Sequence, residues 1–475
     1  MHNNPPPEQI RPGTSLTEDA LLRVELRTLV EHYMDIQQEA ILAPEQLPAE
    51  DRSILARADS ELLVTFAGEL VVDSELTYSE LDKELHTLDL YPLLRENPEG
   101  RTEGKQHVIH IAAYRPEKPD DLPTWPNILL FIATIISVLL TGTTIALAEM
   151  QYEAQQNPAP IILAEPQAEI SFMGTVSELV SNIWRGWPYA LAILLILVPH
   201  EMGHYLMMRR HHASATWPYF IPAFLISPFG TFGAAIMLRE SLRSRKTLLD
   251  VGAAGPLAGF ALAVPILFIG LLTSKVIPVS DTGLVEGNSL LYAFAKWIVF
   301  GEVLPNTTHD VLVNQLAWAG WTGLFVTALN MLPLGQLDGG HVVYSLFGDR
   351  ARIIYWPLLI GMLALALFVS PTWLFFSVIL LFVGRIYAFP LDNITPLDDT
   401  RRVIAVIALV VFALSFTPIP IYQRGEIGGL LSGISITQMS TIAVGLILLQ
   451  MRLRGSQIKT LSRFHQDSKM TSYST

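Results

Sequence analysis

Beyond residue 126 the chain is dominated by apolar runs, at about 127–147, 186–206, 249–272, 311–333, 353–369, 371–389, 403–419 and 435–452. Each holds roughly 17–24 residues, enough at about 1.5 Å per residue to cross ~30 Å of hydrocarbon. Inside a bilayer every backbone N–H and C=O must be satisfied within the segment, so such runs fold as helices. The expectation is a polytopic α-helical membrane protein of about eight transmembrane helices.

Charge divides the chain a second way. Residues 1–120 hold 24 of the 44 acidic and 11 of the 31 basic residues, and that difference equals the whole net charge of −13. The apolar remainder is neutral, so a separate acidic N-terminal domain is expected at 1–118. There "TEDALLRVELRTLVEHYMDIQQEAIL" reads as helix, "ELLVTFAGELVV" as strand, "TYSELDKELHTL" as helix and "QHVIHIAAY" as strand, a small α+β fold. The acidic excess repels phosphate, so nucleic acid is not an expected partner. The start of the chain lacks a signal-peptide pattern, so this domain is expected in the cytoplasm. After it come a linker and first span (119–148), a core (186–346), further spans (347–455) and a tail (456–475).

Loop charge orients the spans. Lys and Arg gather before the first span, at 209–210, 243–246, 350–352, 401–402 and in the tail, whereas 148–184 has none. The positive-inside rule then gives eight crossings with both termini cytoplasmic. A bacterial cytoplasmic membrane is the expected location. The segment 216–238, "TWPYFIPAFLISPFGTFGAAIML", lies between two basic clusters and is rich in Pro, Gly and aromatics. It is expected to be re-entrant, with an ordinary ninth span as the alternative.

Within this apolar body "HEMGH" is the chemical signal. His200 and His204 lie four residues apart, so a helix puts both imidazoles on one face, with Glu201 beside them. Ionisable groups inside a span are costly and point to function. The chain has no cysteine, so a metal must be held by His, Asp or Glu. A third ligand is expected from "ALNMLPLGQLDGGHVVYSL", where Pro333 and Gly335 break the helix and Asp338 lies at the depth of the two histidines; a helix-capping role for Asp338 is the alternative.

"HEMGH" followed by "N-x-x-P-x-x-x-L-D-G-G" resembles the site-2 protease family of intramembrane zinc metalloproteases. The similarity covers about 186–346 and extends loosely to "FPLDNITPLDDTRR". It is nearest to a bacterial and chloroplast branch, and no PDZ domain is evident. The resemblance implies one Zn²⁺ held by His200, His204 and Asp338. Glu201 would be the general base in cleaving transmembrane protein substrates within the lipid bilayer. Asn330 would contact substrate or stabilise an oxyanion, though it could instead bond the carbonyls that Pro333 frees. His341 could support the ligands. Gly255 and Gly259, spaced x-x-x, are read first as helix packing and second as room for an unwound substrate. Two other readings stand beside this one. A CAAX-type metalloprotease would need a downstream glutamate ligand, which the Asp-Gly-Gly element replaces. A zinc-binding scaffold or transporter would have no use for Glu201.

Overall fold

A computed structural model of the chain describes residues 16–57, 60–97, 106–113, 123–156, 172–224, 226–238, 241–279, 284–384 and 387–423. The chain divides into two compact units, the larger being Met1–Val279, Ser289–Trp356 and Leu380–Thr417, and the smaller Ser280–Asn288, Pro357–Ile379 and Pro418–Thr475.

The larger unit begins with α1 (Leu16–Glu31), β1 (Met34–Ala40), α2 (Ala49–Arg57), β2 (Leu62–Leu70), α3 (Ser74–His86), β3 (Leu90–Glu96) and β4 (His107–Ala113). The strands form one antiparallel sheet in the order β1-β2-β4-β3. Leu26 and Val30 of α1 and Leu81 and Leu85 of α3 close its apolar face over Val64, Phe66, Leu94, Ile109 and Ile111. The helix read through residue 42 in fact stops at Glu31. Pairing with β2 draws Met34–Ala40 into a strand, burying Met34 and half-burying Ile36 while Asp35 and Gln37 face out. The expectation also lacked β3 and α2.

Next come α4 (Trp125–Gln156), α5 (Phe172–Ser181), α6 (Trp187–Arg210), the hairpin β5 (Tyr219–Pro222) and β6 (Thr231–Ala235), and α7 (Arg245–Leu272). They are followed by β7 (Lys275–Pro278), β8 (Leu284–Glu286), α8 (Leu290–Phe300), β9 (His309–Leu312) and α9 (Gln315–Asn330). The last elements in chain order are α10 (Asp338–Phe347), α11 (Tyr355–Phe368), α12 (Thr372–Val383), α13 (Asp399–Ser415) and β10 (Ile421–Gln423); β8, β10 and most of α11 and α12 belong to the smaller unit. Helix α8 and the β7–β9 pair were not expected.

Among the described residues four helices are long and apolar enough to cross a membrane: Trp125–Ala154, Ile183–Arg210, Arg245–Leu272 and Asp338–Phe368. The last bends at Gly348, where φ is +58°. The protein is thus built around membrane-spanning helices, and four of the eight expected runs lie in these. The run 311–333 becomes α9, whose 16 residues rise only about 24 Å before the Pro–Gly turn stops it. The runs 371–389 and 403–419 become the shorter α12 and α13, and 435–452 lies outside the described residues.

The segment 216–238 is extended, as its prolines and glycines imply. Phe220 pairs with Ala234, and Ala215 bridges to Leu238, so the segment leaves and returns at neighbouring points. Close contacts through small residues hold the helices behind it: a side chain at Gly320 of α9 would strike the backbone of Leu267 on α7.

The N-terminal sheet is joined to this helical core. The outer edge of β3 is covered by 391–393, with Leu94 N bonding Leu391 O (3.0 Å) and Asn393 N bonding Leu94 O (3.2 Å). From the 391–393 segment Leu391 N and Asp392 N donate in turn to Leu242 O (2.9 Å) and Arg243 O (2.8 Å), just ahead of α7. Ion pairs Lys246–Glu75 (2.7 Å) and Arg352–Glu50 flank the seam.

Candidate metal centre

Each site residue owes its place to a local sequence device. Pro199 lacks an N–H and removes one helical bond from α6 immediately before His200. Four residues on, His204 returns to the same face, and both imidazoles are buried. Asp338 arrives from the turn that ends α9. Gly335 adopts φ +55°, and a side chain at Gly339 would lie 2.0 Å from Met331 O. The two glycines therefore let the chain fold tightly back, putting Asp338 at the first position of α10 beside Asn330.

The three side chains come together. His204 Nε2 lies 3.3 Å from Asp338 Oδ2 and 3.3 Å from His200 Nε2, and His200 Nε2 lies 3.5 Å from Asp338 Oδ2. Ligands about 2.0–2.1 Å from a tetrahedral ion are separated by about 3.4 Å, so these donors already have the spacing of one metal-binding face. The opposite nitrogen of His204, Nδ1, donates to Val251 O of α7 at 2.8 Å, which turns Nε2 toward His200 and Asp338. Asp338 keeps 18% of its side chain exposed, against 5% and 10% for the histidines.

Glu201 is buried beside the group, 5% exposed, and among the described residues no side-chain hydrogen bond holds its carboxylate. Asn330 directs Nδ2 to within 3.1 Å of His200 Nε2, at the rim of the donor triangle. His341 lies a turn beyond Asp338 and packs against Gly252 of α7.

Sequence spacing read Gly255 and Gly259 as a helix-packing motif. Here the contact is with the site itself. A Cβ at Gly255 would lie 2.1 Å from His204 Nε2, and one at Gly259 would lie 3.1 Å from His200 Nδ1. α7 is the floor on which the imidazoles rest. Two features carried no usable sequence signal: the Val251 carbonyl, which any residue offers, and the ion pairs of Asp250. His211 bonds Asp250 at 2.9 Å, and Arg401 grips the same carboxylate.

Residues 188–365 match the model of peptidase family M50. The probable zinc metalloprotease EGY1, chloroplastic, of Oryza sativa subsp. japonica is 28% identical over 379 residues, covering 76% of this chain and 63% of the relative. Its Arabidopsis thaliana namesake is 28% identical over 380 residues (77% and 68%). The probable zinc metalloprotease EGY2, chloroplastic, of Arabidopsis thaliana is 31% identical over 245 residues (51% and 43%). The chain thus spans about two fifths to two thirds of the length of these relatives. No solved structure matches it.

Proposed function

Because the chain belongs to peptidase family M50, the site-2 protease family, we propose that it is an intramembrane zinc endopeptidase. It hydrolyses peptide bonds in or near the transmembrane segments of other membrane proteins. The observation that carries this reading is the convergence of His200, His204 and Asp338 at the mutual spacing of ligands to one ion, at the end of a spanning helix. Two neutral imidazoles and a carboxylate suit Zn²⁺, and three protein ligands leave the fourth position that catalysis needs. A single zinc bound there supplies Lewis-acid polarisation of the scissile carbonyl and makes water a nucleophile near neutral pH.

The protein's own groups do the rest. The Glu201 carboxylate accepts the proton of the attacking water and returns it to the departing amine. Asn330 Nδ2, already at the rim of the donors, donates a hydrogen bond to the oxygen on which negative charge grows. Val251 O keeps His204 in the tautomer that offers Nε2. The extended hairpin and the glycine floor of α7 provide room for a peptide that has left its helix.

In this reading the lipid bilayer surrounds eight crossings. The termini, the acidic domain and the basic loops share the face on which the donors lie. The relatives' names place those proteins in chloroplasts and lend no support to a bacterial cytoplasmic membrane, so the proposal is confined to sidedness.

The test is Glu201→Gln, purified from membranes. One zinc per chain should remain, cleavage of a single-span reporter should fall by about 10²–10⁴-fold, and intact membrane proteins should accumulate on the variant. Wild-type protein without zinc, or a variant that cleaves normally, would overturn the proposal. A phenotype in His200→Ala but none in Glu201→Gln would point to a zinc-binding scaffold or transporter.

A further inference from the structure

Asp250 is held from two directions. His211 Nε2, from the residue that caps the end of α6, lies 2.9 Å from its Oδ2. Arg401 of α13 meets both oxygens, Nε to Oδ1 at 2.9 Å and Nη2 to Oδ2 at 2.7 Å. Arg401 is itself fixed by Asp398, which accepts from Nη1 at 2.6 Å and caps α13 by accepting from Arg401 N at 2.9 Å. A two-pronged guanidinium–carboxylate pair sets orientation as well as distance.

The residue after Asp250 is Val251, whose carbonyl takes the Nδ1 proton of His204. This stretch of α7 holds itself poorly. Pro256 cannot bond Gly252 O, and Gly252, Gly255 and Gly259 bring no side chains to pack. The register of Val251 O against His204 therefore depends on a tie from outside α7.

We propose that Asp250, clamped by Arg401 and His211, is the positioning residue for His204: it holds Val251 O against Nδ1 and so keeps Nε2 turned toward the metal. The inference rests on the zinc reading only for its effect on metal affinity. The bond it concerns, His204 Nδ1–H to Val251 O, is present without metal.

The experiment uses full-length protein in detergent and the variants Asp250→Asn, Arg401→Gln and Arg401→Lys. Lys246→Ala serves as control, since it removes a different tie at the start of α7, to Glu75. Three readouts are needed: zinc retention against a chelator, the visible absorption of the Co²⁺-substituted protein, and the histidine ¹⁵N spectrum of metal-free protein. The His204 signal is assigned by its loss in His204→Asn. Asp250→Asn and Arg401→Gln should weaken zinc retention about 10- to 100-fold, the range for groups that orient metal ligands. They should shift the Co²⁺ band and move the His204 Nδ1 signal of the metal-free protein toward that of a nitrogen without a hydrogen bond, with little change in metal-free melting temperature. Arg401→Lys should recover part of each effect, and Lys246→Ala should show none.

Zinc retention within twofold of wild type together with an unchanged His204 signal would overturn the proposal. So would an effect no larger than that of Lys246→Ala. Wild-type protein that binds no zinc would sink the metalloprotease reading instead, and the His204 signal of the metal-free variants would still decide this one.

Discussion

The protein buries two clusters in which histidine meets carboxylate, and they solve the same electrostatic problem in opposite ways. In the N-terminal domain Asp51, Arg95 and His110 are 0%, 8% and 4% exposed. Arg95 Nε donates to Asp51 Oδ1 at 2.7 Å, and Nη1 bonds Leu94 O and Leu391 O. His110 faces Asp51 at 3.9 Å and pairs through Nδ1 with Thr65. There the chain supplies its own cation. In the membrane core, among the described residues, no lysine or arginine pairs with Asp338, and its carboxylate meets only imidazole nitrogens. Burial therefore does not distinguish a functional cluster from a structural one. The distinction is whether the positive partner is built in or must come from outside.

Removing one acceptor from each cluster should break this comparison most sharply. Asp338→Ala deletes a ligand, so zinc retention should fall by far more than the ~100-fold upper range for supporting groups. The metal-free protein should lose only the His200–Asp338 and His204–Asp338 contacts, so its melting temperature should change far less than its zinc retention. Chelator competition and calorimetry of the metal-free form check both halves. Unchanged zinc binding would remove Asp338 from the ligand set.

Arg95→Ala is the counterpart in the domain. It leaves Asp51 buried without its cation and should cost about 3–5 kcal/mol. Zinc retention should stay within twofold of wild type. Arg95 also bonds Leu391 O, so loosened attachment of the 391–393 strand should accompany the loss, read as faster amide exchange at Leu94 and Asn393.

A smaller effect concerns pH. Desolvation by burial is the largest influence on His110 and, with Arg95 acting the same way against Asp51, lowers its pKa from 6.5 to about 4. The folded state keeps this imidazole neutral, while the unfolded chain protonates it below about 6.5. Unfolded protein thus binds the extra proton between those values, and stability rises with pH across the window. The contribution is complete above about 6.5 and lost as pH falls to about 4, some 3 kcal/mol in all. In His110→Asn the acid side of the stability profile should flatten. An unaltered slope between pH 4 and 6.5 would show that other groups carry it.

Much of the His200–His204–Asp338 grouping was legible before any fold was known, for identifiable reasons. Four-residue spacing puts His200 and His204 on one helical face wherever that helix lies. Pro333 and Gly335 mark the break that returns Asp338 to their level. The alternation in "QHVIHIAAY" marked β4 for the same kind of reason. What stayed hidden depends on distant partners. β1 is a polar stretch that becomes a strand only because β2 lies beside it. Asp250 and Arg401 are 151 residues apart, and neither sits in a pattern that names the other. The Val251 carbonyl has no residue signature at all. Helix length was hidden for another reason: apolar length measures capacity to cross, whereas at α9 the length is decided by the breakers that build the site.

The smallest expected effect tests the boundary between packing and chemistry. Gly255→Ala adds one methyl to α7, on the side where His204 Nε2 would be 2.1 Å away. In an ordinary helix interface overpacking of this kind costs about 1–3 kcal/mol, and neighbouring side chains shift to absorb it. His204 cannot shift freely, because Nδ1 is tied to Val251 O on the same helix. The methyl therefore acts on the ligand nitrogen, and zinc retention should drop while the melting temperature of the metal-free protein falls only slightly. At Gly320, where the obstacle is the Leu267 backbone, the same substitution should lower melting temperature and leave zinc affinity in the folded fraction untouched. Equal behaviour at the two positions would mean that the α7 glycines serve helix packing alone, as their x-x-x spacing first implied.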